Sequence, residues 1–139
     1  MRAGVLTVDP PAPLKVKQNA EAELRIRVTV AEGYHIQANP PSHDFLIPLQ
    51  LKLRRARGIE VGPPRYPPAQ LYYLRGVSDP LLTYGGAFEL LLPLRVQGDV
   101  PPGAYVLNSS LRYQACDSHS CLMPSERRLK LHVEVQEHE

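Results

Sequence analysis

The chain has 139 residues and a formal net charge of +2, and 43% of its residues are hydrophobic while 22% are charged. This length suits one domain with its own core, so we expect a single domain over residues 1–139. The composition argues against disorder, and the small net charge argues against a general polyanion-binding role.

Proline is the unusual residue, because it occupies 15 of the 139 positions and is spread through the whole chain. Long helices are hard to place in such a sequence, since proline removes a backbone donor and clashes with the preceding turn. No run of about 18 apolar residues could span a bilayer, and the first residues lack the apolar core of a signal peptide. We therefore expect a soluble chain of strands and turns.

Alternation of apolar and polar residues predicts the strands. It is clearest in residues 22–30, where one face carries Leu24, Ile26, Val28 and Val30. Further strands with this pattern are predicted at residues 49–53, 88–96 and 129–135. Weaker strands are predicted at residues 5–8, 34–37, 59–61 and 105–114. Pro93 points outward in its predicted strand, which places that strand at a sheet edge or a bulge.

These short strands and frequent turns favour an all-β fold, an immunoglobulin-like antiparallel β-sandwich of about seven to nine strands. A small barrel is the alternative. One long connection, from Pro63 to about Tyr84, shows no clean alternation. Connections of that length are usually functional or mobile.

Cys116 and Cys121 flank four residues of a polar turn. Such a turn could bring their Cα atoms within the separation of about 4.4–6.8 Å that a disulfide requires. A bridge over so short a loop would stabilise the fold by only about 2 kcal/mol, which a domain of this size does not need. As a dithiol, the pair could attack a partner's disulfide and resolve the mixed disulfide.

Three interpretations of the cysteine pair stay open on the residues alone. A redox-active dithiol could be supported by a protonated His119 and opposed by Asp117. A structural disulfide could instead clip a hairpin. A metal site could instead consist of Cys116, His119 and Cys121. A structural zinc site requires four ligands, and the fourth would have to be His35, His43 or His132.

Two other groups of residues have alternative explanations. Tyr34 and His35 could line the cysteine site or be half-buried packing residues of a strand. A basic run is explained by a strand end that leaves for solvent, and it consists of Lys52, Arg54, Arg55 and Arg57.

The string YQAC, four residues and then CLMP, ahead of a closing strand, resembles the amino-terminal domain of the thiol:disulfide interchange protein DsbD family. Further segments support the resemblance along nearly the whole chain. In order, they are Glu32-Gly33-Tyr34-His35-Ile36, Asn39-Pro40-Pro41, Tyr66-Pro67-Pro68, Tyr84-Gly85-Gly86 and Pro101-Pro102-Gly103.

The resemblance implies an immunoglobulin-like domain of the bacterial periplasm, a protein-disulfide reductase component that uses its cysteine pair and no cofactor or metal. It would accept electrons from the thioredoxin-like domain of a membrane-embedded reductase. It would pass them to a periplasmic disulfide isomerase or a cytochrome c maturation thioredoxin. Neither a nucleic-acid partner nor direct membrane insertion is expected.

The resemblance also implies roles for single residues. Cys121 would form the mixed disulfide with partners, and Cys116 would be the resolving thiol. A cap loop with an aromatic side chain shields the pair in the family, and we expect it in the connection from Pro63 to Tyr84. The candidate cap or lining residues are Tyr72, Tyr73, Leu74, Tyr34, His35 and His119.

Overall fold

The computed structural model describes residues 4–76 and 78–138, so the ends of the predicted domain, and Val77 in the predicted cap connection, lie outside the described residues. The described residues form twelve strands and no helix, and none of them therefore belongs to a membrane-crossing helix. The strands are β1 (Leu6–Val8), β2 (Leu14–Lys17), β3 (Glu21–Val30), β4 (His35–Gln37), β5 (Gln50–Leu53), β6 (Ile59–Val61), β7 (Gln70–Tyr72), β8 (Leu81–Tyr84), β9 (Ala87–Val96), β10 (Gly103–Tyr113), β11 (Ala115–Cys116) and β12 (Ser125–Gln136).

Three four-stranded sheets build the immunoglobulin-like β-sandwich that the sequence predicts. Sheet 1 has the order β1-β3-β9-β6, sheet 2 the order β2-β12-β10-β5, and sheet 3 the order β11-β4-β8-β7. Neighbouring strands are antiparallel except β2, which runs parallel to β12. Each sheet is open and has two edge strands, so the alternative of a small barrel is wrong.

The main core lies between sheets 1 and 2, and the predicted alternation of the long strands is confirmed. The inward residues of β3 are at most 4% exposed and those of β9, from Leu90 to Val96, at most 3%. They form one cluster with inward residues of β10 and β12, among them Leu107, Leu111 and Leu131. Each buried aliphatic side chain of this kind stabilises the fold by about 1.5–3 kcal/mol.

The structure has more strands than the predicted seven to nine. The additional strands are β2, β7, β8 and β11. Two of them, β7 and β8, lie in the connection that the sequence predicts to be irregular. Each of the four has four residues or fewer, which is too short for an alternation to stand out from its flanking residues.

Of the two positions predicted for Pro93, the sheet edge is wrong, because β9 lies between β3 and β6. The bulge agrees with the register, since four residues lead from Val61 to Arg65 where three lead from Leu94 to Leu91. The missing N–H is tolerated since β6 ends at Val61, and the next residue, Gly62, donates its N–H to the Pro93 carbonyl (2.9 Å). Pairing on this side resumes at Arg65, opposite Leu91. Pro93 therefore lies where the neighbouring chain interrupts its own pairing.

Two long strands present the cysteine segment at one end of the sandwich. β10 and β12 pair over their length, from Gly103 opposite Val135 to Tyr113 opposite Ser125. The chain between them leaves sheet 2 and joins sheet 3, because β11 pairs with β4. The cysteines thus lie in the segment that leaves sheet 2 between the paired strands β10 and β12.

Candidate functional site

A short hairpin holds the two cysteines opposite each other. Cys116 and Cys121 form an antiparallel bridge, and one residue outside it the N–H of Leu122 donates to the Ala115 carbonyl (2.7 Å). The cysteines are thus a non-hydrogen-bonded cross-strand pair, the position at which opposite residues approach most closely. Their Cα atoms are 3.9 Å apart, closer than the predicted range, and their Sγ atoms form a disulfide of 2.00 Å.

Asp117 shapes the turn of this hairpin. Its N–H donates to the Ser120 carbonyl (2.9 Å), and its Oδ1 accepts from the N–H groups of His119 and Ser120, both at 2.8 Å. An aspartate that accepts from the residues two and three positions later closes an Asx turn. The Asp117 carboxylate, which was expected to oppose a thiolate, therefore accepts hydrogen bonds from the backbone of the turn.

His119 lies at the exposed tip of the hairpin. Its Nε2 is 3.3 Å from Nη1 of Arg75, and its Nδ1 is 2.9 Å from Oγ of Ser118. Because a guanidinium only donates, Nε2 is the acceptor in a hydrogen bond between His119 and Arg75. The structure thus places the His119 ring against Arg75 and Ser118 at the tip of the hairpin.

The two sulfurs differ in exposure and in hydrogen bonding. Cys116 is fully buried, whereas Cys121 is partly exposed. The buried Gln37 side chain places its Nε2 3.0 Å from the Sγ of Cys116 and 3.9 Å from the Sγ of Cys121. Hydrogen bonds to an ionised acceptor are about twice as strong as neutral ones. The amide is therefore positioned to favour negative charge on Cys116 when the bridge opens.

Strand β4 fixes the position of Gln37, a site residue that the sequence analysis missed. Its N–H donates to the Gln114 carbonyl (3.0 Å), and its carbonyl accepts from the N–H of Leu49 (3.1 Å). Its side-chain Oε1 has no hydrogen-bond partner among the described residues, which costs free energy in a buried site. No pattern in a single sequence marks a buried amide at the end of a three-residue strand.

His35 lies directly opposite Cys116 in the pairing of β4 with β11. Its ring stacks on that of Tyr72, with centroids 3.7 Å apart and planes inclined by 22°. Burial lowers the pKa of His35 below its usual value, and its Nδ1 finds no partner in the described part of the chain. A Cβ at Gly85 would come within 3.0 Å of the His35 ring, so glycine leaves room for this stack.

A small apolar cluster surrounds the disulfide. Leu46, Leu81 and Cys116 are its buried members, and Leu74 and Cys121 pack against it. We call these five residues the disulfide cluster. It is separate from the main core and draws on three connections and two short strands.

The connection from β7 to β8 contacts the cysteine hairpin. Leu74 packs in the disulfide cluster, and the N–H of Arg75 donates to the Ser118 carbonyl (2.9 Å). Tyr73 lies between the β7 residue Tyr72 and Leu74, and 59% of its surface is exposed. The structure thus brings Leu74 to the sulfurs and Tyr72 to the neighbouring ring stack, and it turns Tyr73 to solvent.

Tyr34 is not part of this arrangement, because it packs against the main core. Over residues 4–76 and 78–138, no group of three or more His, Cys, Asp or Glu side chains could hold a metal ion. In particular, Cys116, His119 and Cys121 are not such a group, since the two sulfurs are bonded to each other.

Residues 2–133 match the family model of the N-terminal domain of the thiol:disulfide interchange protein DsbD. No curated protein sequence matches the chain at a significant level. Among solved structures, the N-terminal periplasmic domain of ScsB from Proteus mirabilis is similar, with a TM-score of 0.56 and 14% identity. That match covers 91% of this chain and 44% of the ScsB chain, so this chain spans less than half of that structure.

A second solved structure is AggA, the major subunit of aggregative adherence fimbriae type I from Escherichia coli. The alignment covers 94% of this chain and 93% of AggA at 11% identity, and its TM-score of 0.40 is too low to support an argument. At 14% identity, the likeness to the ScsB domain supports the sandwich fold.

Proposed function

The chain belongs to the family of the N-terminal domain of the thiol:disulfide interchange protein DsbD, and from that membership we propose that it is a periplasmic thiol:disulfide exchange module. Acting as one domain, it relays two reducing equivalents through Cys116 and Cys121 as a component of a protein-disulfide reductase. The electron donor is the thioredoxin-like domain of a membrane-embedded reductase. The acceptor is a periplasmic disulfide isomerase or a cytochrome c maturation thioredoxin.

The difference between the two sulfurs carries this proposal. In thiol–disulfide exchange the attacked sulfur must be accessible, and the departing sulfur leaves faster when its negative charge is stabilised. Cys121 is the more exposed of the two. Cys116 is the sulfur that lies 3.0 Å from the Gln37 amide. The geometry therefore supports attack at Cys121 and departure of Cys116.

Reduction of the domain takes two displacement steps. A donor thiolate attacks Sγ of Cys121, the bond between Cys121 and Cys116 breaks, and Cys116 leaves as a thiolate that accepts from Gln37. The donor's second thiolate then attacks the donor sulfur of the mixed disulfide and releases Cys121. The donor ends as a disulfide, and the domain ends as a dithiol after taking up two protons.

Oxidation of the domain reverses these steps. The Cys121 thiolate attacks the acceptor's disulfide and forms a mixed disulfide. Cys116 then attacks the Sγ of Cys121, which re-forms the internal bridge and releases the acceptor as a dithiol. The two electrons leave with the acceptor, so the domain returns to its starting state.

The connection between β7 and β8 limits access to the sulfurs in this proposal. Among the described residues, its contacts with the hairpin include the packing of Leu74, a backbone hydrogen bond from Arg75 to Ser118 and the approach of Arg75 to His119. Contacts of this kind can open locally while long ladders stay paired. The cap function of Leu74 and Tyr72 thus requires no change in the main core.

A single-cysteine thioredoxin, activated as a mixed disulfide with thionitrobenzoate, tests the proposed roles. With Cys116→Ser, the remaining Cys121 should displace thionitrobenzoate and form a stable protein–protein mixed disulfide. With the matched control Cys121→Ser, the buried Cys116 should react at least about tenfold more slowly. Equal rates for the two variants, or no reaction with either, would contradict the proposal.

A further inference from the structure

The outer face of sheet 2 carries two neighbouring rows of side chains, each with one lysine, one arginine and one uncharged polar residue. The rows are Lys52-Ser110-Arg128 and Arg54-Asn108-Lys130. In each row the uncharged residue comes from the central strand β10. All six residues line one open groove of about 600 Å³, which we call the cationic groove.

Strand geometry sets the dimensions of the cationic groove. Adjacent strands are about 4.8 Å apart, so the two cations of a row start about 10 Å apart, on either side of β10. Successive rows are two residues apart along the strands, a distance of about 6.6 Å. One anionic group at the centre of each row would have a cation on both sides and a hydroxyl or amide beneath it.

The cations of the groove form no ion pair with any carboxylate of the described residues. One carboxylate, Glu126, lines the groove at the end where it lies opposite Arg112. The four groove cations are exposed. Coulomb repulsion among these four cations is therefore relieved mainly by solvent and mobile ions, with Glu126 as the one carboxylate that lines the groove.

The outer face of sheet 1 and its border show the opposite arrangement, since each of four arginines there has a carboxylate partner. The pairs are Arg25–Glu89 (3.5 Å), Arg27–Asp9 (3.8 Å), Arg95–Glu21 (3.4 Å) and Arg65–Glu23. The net charge of +2 therefore averages over two unlike faces. The small net charge therefore gives no information on the local charge of sheet 2.

We propose that the cationic groove binds a linear ligand whose phosphate or sulfate ester groups are spaced about 6.6 Å apart. Arginine binds such oxyanions with two parallel hydrogen bonds, lysine adds a point charge, and the Ser110 hydroxyl or the Asn108 amide adds a neutral donor. Each row thus supplies one complete oxyanion site, and two rows in register select a repeating anion.

Two features of the groove favour this ligand over other anionic partners. No aromatic residue lines it, so the bases of a nucleic acid would have no stacking platform there. A flat membrane surface would meet the ends of the cations but not Ser110 or Asn108 on the central strand. A narrow chain can contact both walls and the floor.

Fluorescence anisotropy with a labelled abasic deoxyribose phosphodiester hexamer tests the site, because this probe has a phosphate chain without bases. We expect the double variant Arg128→Gln/Lys130→Gln to bind at least tenfold more weakly than the wild type. The matched control Arg25→Gln/Arg95→Gln removes the same charge from sheet 1 and should bind within twofold of wild type. Thermal unfolding checks that both variants fold, and Lys52→Gln/Arg54→Gln repeats the test on the other wall.

Further probes identify the source of the anion. Competition by a heparin-derived tetrasaccharide that is stronger than competition by the unlabelled hexamer would assign the site to sulfated sugars, and weaker competition would assign it to phosphodiesters. An equal loss of affinity for the hexamer in the sheet 1 and sheet 2 variants would overturn the proposal. So would the absence of binding by the wild type at low salt. Binding to phosphatidylglycerol vesicles without binding to the hexamer would also overturn it, and so would at least tenfold tighter binding of a hexamer with bases.

Discussion

The main core and the disulfide cluster are built from different kinds of contact. Aliphatic side chains from strands of 10 to 12 residues supply 13 of the 23 buried residues of the main core, and shorter strands and connections supply the other ten. The disulfide cluster joins Leu46, Leu74, Leu81 and the cysteines, which come from short strands and connections. Long ladders open only with the whole fold, whereas regions with few buried contacts open locally. We therefore expect the sulfurs to be uncovered by local opening while the sandwich stays folded.

Three buried side-chain atoms of the described residues have no hydrogen-bond partner, and two of them lie beside the cysteines while the third is Oγ of Ser42. Oε1 of Gln37 and Nδ1 of His35 are buried without a hydrogen-bond partner in the described residues. Both residues lie on β4, which pairs with the strand of Cys116. Such atoms lower stability, but they are available to a reacting group. We therefore expect the disulfide region to be less stable than the main core. It also has two polar atoms that a reacting group can contact.

The largest expected effect is at the cysteines, where the loss of exchange turnover should be much larger than the loss of stability. Cys121→Ser should reduce turnover between a thioredoxin-like donor and acceptor to the background rate, because it removes the accessible sulfur that forms the mixed disulfide. The free energy of unfolding should fall by only about 2 kcal/mol, since the bridge closes a short loop. A coupled exchange assay and urea unfolding measure the two quantities. Substantial residual turnover would mean that the Cys116 thiolate can itself attack a partner's disulfide, and it would contradict the proposed role of Cys121.

Leucine truncations on the two sides of the boundary should have opposite consequences. Leu131→Ala in the main core should lower the free energy of unfolding by about 2–5 kcal/mol and leave the exchange rate of the folded protein unchanged. Leu74→Ala in the disulfide cluster should cost less stability and accelerate exchange several-fold, because it uncovers the sulfurs. A slower exchange in Leu74→Ala would contradict the cap function.

Gln37→Leu keeps the approximate size of the side chain and removes the amide donor. We expect the bridge to open about tenfold more slowly with dithiothreitol, since a hydrogen bond to a charged group contributes about 1.5–3 kcal/mol. Gln50→Leu is the matched control, because Gln50 is exposed on β5. An unchanged rate in Gln37→Leu would show that the amide does not stabilise the departing sulfur.

The pH dependence of stability should report on His35. Its pKa lies below the ordinary value of 6.5 in the folded protein because of burial. The unfolded state therefore takes up a proton that the folded state binds less readily, and stability falls as the pH drops below about 6.5. His35→Phe keeps a ring for Tyr72 and should flatten this part of the profile. Urea unfolding at pH 7 and pH 5 measures it, with His132→Gln as the control for loss of one histidine.

The smallest expected effect distinguishes the two tyrosines of the proposed cap. Tyr72→Ala removes the ring that stacks on His35 and should speed exchange with a bulky disulfide by a few-fold. Tyr73→Ala should change the rate by less than that, because Tyr73 is 59% exposed. Stopped-flow exchange with a protein disulfide measures both. A larger effect at Tyr73 would move the cap to the other ring.

Much of the sandwich could be predicted because each long strand shows its inward face in its own residues, as Leu24, Ile26 and Val28 do. The disulfide cluster could be predicted only where the residues carry distinctive chemistry, as the cysteines do, or a family resemblance, as Leu74 does. Gln37 is 79 residues from Cys116 in sequence, and their contact depends on how sheet 3 forms. Local sequence patterns do not indicate such a long-range contact.

The basic run shows the same limit on the outer surface. The sequence explains Lys52 and Arg54 as a strand end that leaves for solvent. The register of sheet 2 aligns them with the rows of Arg128 and Lys130, more than 70 positions later. The position of a charge in the sequence indicates its exposure, but its neighbours across a sheet follow from strand pairing.

The reduction potential of the Cys116–Cys121 pair tests the central claim most directly. It is measured by equilibrating the domain with glutathione or dithiothreitol buffers and counting free thiols by alkylation and mass. We expect a reversible two-electron transition within the range of thioredoxin-like proteins, about −270 to −120 mV. A pair that stays oxidised below about −300 mV would be a structural clip and would contradict the relay.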